Sequence, residues 1–194
     1  MTTIELIGAL LGIAYVLLEY KASIWMWLFG FLMDICYCYV YFNGHLYANA
    51  TLYVYYLVMC IVGAAAWMRN RKKAQREDSK ADAVRSMKPW GWISVAGMTA
   101  ALTLLLVYAL SALAESQTVW LDALTSSLSC VGMILIAKKY YQQWLVWIIV
   151  DPVYVVLSLR TAMYPLAAMY LFYTIISIMG YIRWKRLNKT ATEH

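Results

Sequence analysis

Seven apolar stretches alternate with short polar breaks along this chain. About twenty apolar residues span the hydrocarbon of a bilayer. On that ruler the stretches cover residues 3–19, 24–42, 46–68, 91–113, 119–137, 144–160 and 163–183. One break is long: RNRKKAQREDSKADAVRSMK, residues 69–88, is charged, mixed in sign and poor in apolar residues, and reads as a solvated loop. The pattern predicts an all-α membrane protein with seven transmembrane helices. Its parts are a three-helix unit over 1–68, a charged cytoplasmic loop over 69–88 and a linker transmembrane helix over 89–115. A second three-helix unit follows over 116–186, then a cytoplasmic tail over 187–194.

Composition agrees. Of the 194 residues, 64% are hydrophobic and only 13% charged, with mean hydropathy +0.63; a soluble domain carries about 25% charged residues. The start, Met1–Glu5, lacks the basic region of a signal peptide, so the first apolar stretch is expected to be retained. The basic residues set a direction. With the N-terminus outside, Lys21, the 69–88 loop, Lys138, Lys139 and the Arg183–Lys189 stretch all lie in the cytoplasm. Of the 16 Lys and Arg residues, only Arg160 falls outside, a one-sided case of the positive-inside rule. The net charge of +6 thus reports topology and calls for no nucleic-acid partner. Cys36, Cys38, Cys60 and Cys130 all sit in apolar runs without a CxxC pair or Cys/His spacing, so they read as small buried residues. No metal and no cofactor is expected.

The chain repeats itself. Shifting it by 117 residues matches Leu18 with Leu135, Lys21 with Lys138, Trp27 with Trp144, Asp34 with Asp151, Tyr37 with Tyr154 and Tyr47 with Tyr164. The match continues through Tyr53/Tyr170, Tyr56/Tyr173, Ile61/Ile178, Gly63/Gly180 and Trp67/Trp184, and the acidic pair Glu5/Asp122 extends it. Apolar helices match Leu and Ile by chance, but not Trp, Asp, Gly and Tyr together without a gap. Segments 1–3 and 5–7 are therefore read as two copies of one unit, parallel because segment 4 lies between them. Transporters built from repeats hold their substrate near the midplane where the units meet.

Helical spacing then selects faces. Trp144, Trp147, Asp151, Tyr154 and Ser158 form one stripe of segment 6, and Trp27, Gly30, Asp34, Tyr37 and Tyr41 its counterpart in segment 2. Segment 3 offers Asn49, Tyr53, Tyr56, Cys60, Gly63 and Trp67; segment 7 offers Tyr170, Tyr173, Ser177, Gly180 and Trp184. A carboxyl group in hydrocarbon costs roughly 2.5–3.5 kcal/mol on insertion scales, so Asp34 and Asp151 need either polar partners or a water-filled path. Pro152 frees the carbonyl near residue 148 and marks a place where a moving unit bends. Aromatic faces, hydroxyls and carboxyls together suit a flat cationic heteroaromatic ligand. Candidate contacts are Trp27, Asp34, Tyr37, Asn49, Tyr53, Tyr56, Trp144, Trp147, Asp151, Tyr154, Tyr170 and Tyr173, with Pro152 and Glu19 as hinge or gate. The plainer readings stand beside these: Trp25, Trp67, Trp120 and Trp184 as interfacial anchors, tyrosines as helix packing, and Glu19 paired with Lys21 or with lipid headgroups.

LEYKASIWMW, the WLVW of segment 6 and the ending YLFYTIISIMGYIRWKR resemble the PnuC family of bacterial vitamin transporters. The resemblance implies a 3+1+3 helix fold similar to SWEET sugar transporters, a location in the bacterial inner membrane and an oligomer, often a trimer. It also implies facilitated diffusion of a vitamin, trapped by a cytoplasmic kinase. Short length and the LEYKASIWMW stretch resemble the thiamine branch, PnuT, and intramembrane Asn or Gln to face a carboxamide is scarce. Thiamine is therefore the first expected substrate and nicotinamide riboside the second. A proton-coupled transporter, a receptor without flux and a membrane enzyme are the competing classes. The last is disfavoured because the spans contain no His.

Overall fold

The computed structural model describes residues 3–45, 47–77, 79–111, 119–160 and 164–193. These form seven α-helices: α1 (Thr3–Tyr20), α2 (Met26–Asn43), α3 (Tyr47–Glu77), α4 (Pro89–Ser111), α5 (Val119–Ala137), α6 (Gln143–Arg160) and α7 (Tyr164–Glu193). Six of them are long and apolar enough to cross a membrane; α2 falls short because Trp27, Asp34, Asn43 and three tyrosines dilute its apolar residues. The outer surface is studded with exposed Leu, Ile and Val, while Asp34, Asp151, Ser127 and Ser129 are buried. That is the reverse of a water-soluble protein's arrangement.

Two boundaries differ from the sequence reading. Residues 69–77 continue α3 instead of opening a loop. The stretch RNRKKAQRE holds strong helix formers and no Gly or Pro, and Lys73 pairs with Glu77 one turn on at 3.7 Å. In the same way α7 carries the expected tail, 187–194, as helix as far as Glu193. The remaining connector, with a 3₁₀ turn at Lys80–Asp82, straps the turn between α5 and α6. The Arg85 N–H donates to the Lys139 carbonyl at 2.9 Å and the Tyr141 N–H to the Arg85 carbonyl at 3.2 Å. Gln142 Oε1 accepts from the Met87 N–H, and Asn188 Nδ2 donates to the Val84 carbonyl at 2.9 Å. Lys139 pairs with Asp82 and sits over the Trp67 ring at 4.2 Å. Burial pushes its ammonium below the usual lysine value, and Asp82 opposes that shift.

Six helices form a ring through the contacts α1–α2, α2–α3, α3–α5, α5–α6, α6–α7 and α7–α1, with α4 packed outside against α5. Contacts recur 117 positions apart. Trp27 lies over Gly63 as Trp144 lies over Gly180; only glycine lets an indole approach the backbone so closely. Trp27 meets Trp67 edge-on at 5.6 Å, and Trp144 meets Trp184 at 5.7 Å. The Trp67 N–H donates to the Ile136 carbonyl, and the Trp184 N–H to the Glu19 carbonyl, both at 3.2 Å. Each bond therefore crosses from one half of the ring to the other. The turns after α1 and α5 share one Schellman geometry: Ala22 and Lys139 have φ of 52° and 55°, with Ser23 N–H donating to Leu18 and Tyr140 N–H to Leu135.

Trp67 and Trp184 thus differ from the expected interfacial anchors: they are 1% and 0% exposed. With Trp27 and Trp144 they form a run of four rings at the core, joined where Trp67 and Trp184 lie 6.3 Å apart. Trp25 and Trp120, by contrast, are exposed. Of the four cysteines only Cys60 is buried; the others are half-buried, and all four are free.

Candidate functional site

The ring encloses a cavity of about 570 Å³, within the ~300–1,000 Å³ of small-molecule sites. Its walls come from both halves. At one end lie Glu19, Val16 and Trp144, all almost completely buried beside the four-tryptophan core. Toward the other end the lining includes Asn49 and Thr51, both exposed.

Eleven of the twelve contact residues expected from the sequence line this cavity, and so does Glu19; Trp27 and Pro152 do not. Trp27 points instead into helix packing, its ring set on Gly63. Pro152 lies within the unbroken helix α6 but off the wall. Glu19 is not with Lys21. Its carboxylate accepts a hydrogen bond from Gln143 Nε2 at 2.8 Å, and both residues are buried.

The two aspartates occupy matched settings. Asp34 Oδ2 accepts from the Cys60 thiol of α3 at 3.5 Å, and Asp151 Oδ2 accepts from the Ser177 hydroxyl of α7 at 3.3 Å. Their partners therefore come from the neighbouring helix of the same unit. Asp34 Oδ1 and the N–H groups of Trp144 and Trp147 are buried without a protein partner. Buried polar groups are nearly always hydrogen-bonded, so these three suit a polar ligand or water in the cavity.

Tyrosines line the middle and open part. Tyr53 stacks on Tyr41 at 5.2 Å and tilts against Tyr37 at 5.4 Å; across the ring Tyr154 stacks on Tyr170 at 4.9 Å. Tyr56 and Tyr173 meet Tyr53 and Tyr170 nearly at right angles. One position breaks the pattern. In the first half Gly30 of α2 faces Tyr15 of α1, whereas in the second Trp147 of α6 faces Gly132 of α5. These are the same two positions, 117 apart, with the bulk exchanged, so the cavity has an indole shelf on one side and a phenol on the other.

Beyond Glu19, sequence reasoning missed the contribution of α1 and α5: Tyr15, Ser129, Cys130 and Met133 also line the space. The signal was there, since Tyr15 precedes Glu19 by one helical turn and α5 reads LTSSLSC. Three of its hydroxyls, on Thr125, Ser127 and Ser129, donate to carbonyls four residues back. Such self-satisfied hydroxyls pass for ordinary membrane-helix serines. Asp122 also lies on the wall, whereas none of the described residues lining it is Lys, Arg or His.

Known proteins share this architecture. A family model described as nicotinamide mononucleotide transporter matches residues 2–186. The nicotinamide riboside transporter PnuC of Haemophilus influenzae is 32% identical over 189 residues, covering 96% of this chain and 80% of the relative. The Escherichia coli protein of the same name is 25% identical, over 95% of this chain and 85% of its own. The crystal structure of the vitamin B3 transporter PnuC superposes with a TM-score of 0.78 at 26% identity, covering 95% of this chain and 81% of the other. The family and these relatives are transporters, not enzymes. Helical ring, central cavity and sequence match together make this chain a member of the nicotinamide mononucleotide transporter family, to which the PnuC proteins resembled by its sequence belong.

Proposed function

We propose that this protein carries nicotinamide riboside across the bacterial inner membrane by facilitated diffusion. The observation that carries the reading is the cavity wall: tyrosine and tryptophan rings with Asp34 and Asp151 and, among the described residues, no basic side chain. Nicotinamide riboside is a flat pyridinium cation with a sugar. Rings that sandwich it contribute roughly 0.5–2 kcal/mol each through the cation–π interaction, and the carboxyl groups complement its charge. A nucleotide is less suited, because its phosphate would meet Asp and Glu with no Lys or Arg among the described lining residues. The nucleoside named for the relatives therefore fits this wall better than the mononucleotide of the family's description.

The order of vitamins changes from the sequence reading. Thiamine came first there; the relatives' names favour nicotinamide riboside. Carboxamide partners are also less scarce than the sequence suggested, since Asn49, Ser126 and Ser129 line the cavity.

In this reading seven crossings form a 3+1+3 arrangement, with α4 joining two parallel units, the N-terminus outside and the basic turns in the cytoplasm. The recurring contacts and the one-sided charge support it. The buried end with Glu19 and the tryptophans then faces the cytoplasm and the open end faces outward. Pro152 is the bending point of α6. A cytoplasmic kinase that phosphorylates the vitamin traps it inside, and the protein works as an oligomer, a trimer by resemblance.

The test is titration of the purified protein with nicotinamide riboside, its mononucleotide, thiamine and riboflavin, read by quenching of its nine tryptophans. Saturation by nicotinamide riboside is expected, weakened about tenfold in Asp34→Asn and Asp151→Asn, as for loss of about 1.4 kcal/mol of charge complementarity. Saturation by thiamine alone would overturn the substrate, and unchanged affinity in both variants would overturn the role of the carboxyl groups.

A further inference from the structure

The buried end of the cavity holds a polar bond that the internal symmetry does not require. Glu19 and Gln143 join α1 to α6 there, carboxylate to amide, at 2.8 Å. The positions 117 away hold Ile136 and Met26, both completely buried. Each half keeps its tryptophan-to-carbonyl bond, so an apolar pair seals the equivalent contact on the other side. A carboxyl group in this place costs burial that an isoleucine does not. Closure alone therefore fails to explain Glu19.

Four further observations do. Glu19 lines the cavity, although it is only 2% exposed. It lies close enough to Asp151 for the two groups to interact. Around it stand Tyr15, Trp144 and Trp147, aromatic faces on the same wall. Gln143 is held by one hydrogen bond only, its Oε1 being buried without a partner. A cation offered to Glu19 thus competes with the Gln143 amide and the Tyr15 hydroxyl, both neutral donors.

We propose that Glu19 is a second, inner contact for a cationic heteroaromatic ligand, and that the ligand reaching it displaces Gln143 and releases the α1–α6 bond. The proposal rests on the substrate reading above. Asp34 and Asp151 hold the cation in the middle of the cavity; Glu19 receives it at the inner end. Opening then follows occupancy, because the same carboxyl group serves the latch and the ligand. Only one half of the ring carries the device, so the empty carrier stays closed at this end.

The experiment compares wild type with Glu19→Gln and with E19I/Q143M, which installs the apolar pair of the other half. Each is reconstituted in vesicles with Cys36 and Cys38 replaced by alanine, leaving the cavity-lining Cys60 and Cys130. Three quantities are read: affinity for nicotinamide riboside by tryptophan quenching, uptake, and labelling of the two thiols by an impermeant maleimide applied at the Glu19 end. In wild type, ligand added from the opposite side should increase labelling. In both variants ligand-dependent labelling and uptake should fall at least tenfold, and by more than affinity falls. E19I/Q143M should melt no lower than wild type; if it fails to fold, Glu19→Gln alone carries the test. Wild-type uptake in either variant overturns the proposal, and so does an affinity loss beyond tenfold, which would make Glu19 part of the central site. If wild type does not bind nicotinamide riboside, the substrate reading fails instead, and the same comparison run with thiamine still judges Glu19.

Discussion

Alanine at Gly180 should damage binding, whereas alanine at Gly63 should damage only stability. A Cβ on Gly180 would lie 2.5 Å from Trp144 Cε2 and 2.6 Å from Cζ2; one on Gly63 would lie 2.2 Å from Trp27 Cη2. Ordinary carbon contacts begin near 3.5 Å, so either indole must shift by roughly 1 Å. Each ring is almost fully buried and packed edge-on against a partner tryptophan. Overpacking costs about 1–3 kcal/mol, and the disturbed aromatic pair about 0.5–1.5 kcal/mol more. A loss of roughly 2–4 kcal/mol is therefore expected at either site. The consequences for ligand differ, because Trp144 lines the cavity and Trp27 does not. Thermal unfolding in detergent should show both variants melting several degrees early. Quenching by nicotinamide riboside should weaken about tenfold or more in Gly180→Ala and stay within about twofold in Gly63→Ala, a tenfold change being 1.4 kcal/mol. Adding Trp144→Phe to Gly180→Ala should restore stability without restoring affinity. Equal affinity losses at the two glycines would refute the assignment of Trp27 to packing and Trp144 to the site.

Other outcomes follow from the same contacts. Asp82→Asn removes the charge paired with the largely buried Lys139 and leaves it the Asp82 carbonyl, so the strap over 79–88 should loosen; limited proteolysis should cleave it several-fold faster, and an unchanged rate would sink the idea. Ala22→Gly relieves a left-handed backbone at φ 52° and should stabilise by up to about 1 kcal/mol, visible as a higher melting temperature. Uptake into vesicles should follow the vitamin gradient alone; acceleration by an imposed pH gradient would move the protein into the proton-coupled class.

The features legible in the sequence were those a period can carry. Helix number followed from apolar length, and the facing stripes of α2, α3, α6 and α7 followed from steps of three and four. The ends of α3 and α7 were not legible from hydropathy, since RNRKKAQRE is polar yet strongly helix-forming. Nor was the fate of the tryptophans. Trp67 and Trp184 have the composition of interfacial anchors, and only the glycines one turn earlier, Gly63 and Gly180, hint that an indole is pressed against their helices. Glu19 was misread for a similar reason: Lys21 is near in sequence, whereas Gln143 is near only after the ring closes. Contacts between halves depend on tertiary closure, which no local pattern encodes.

The exchange of bulk at Tyr15/Gly30 and Gly132/Trp147 has a historical consequence. If the halves began as copies of one unit, both started with the same pair. At least two of the four positions have since changed. Indole and phenol cannot share a contact sized for one of them, so neither residue of a pair reverts alone. Such a step is a one-way divergence: afterwards the halves cannot be interchanged, and grafting a helix from one into the other must carry its small partner with it.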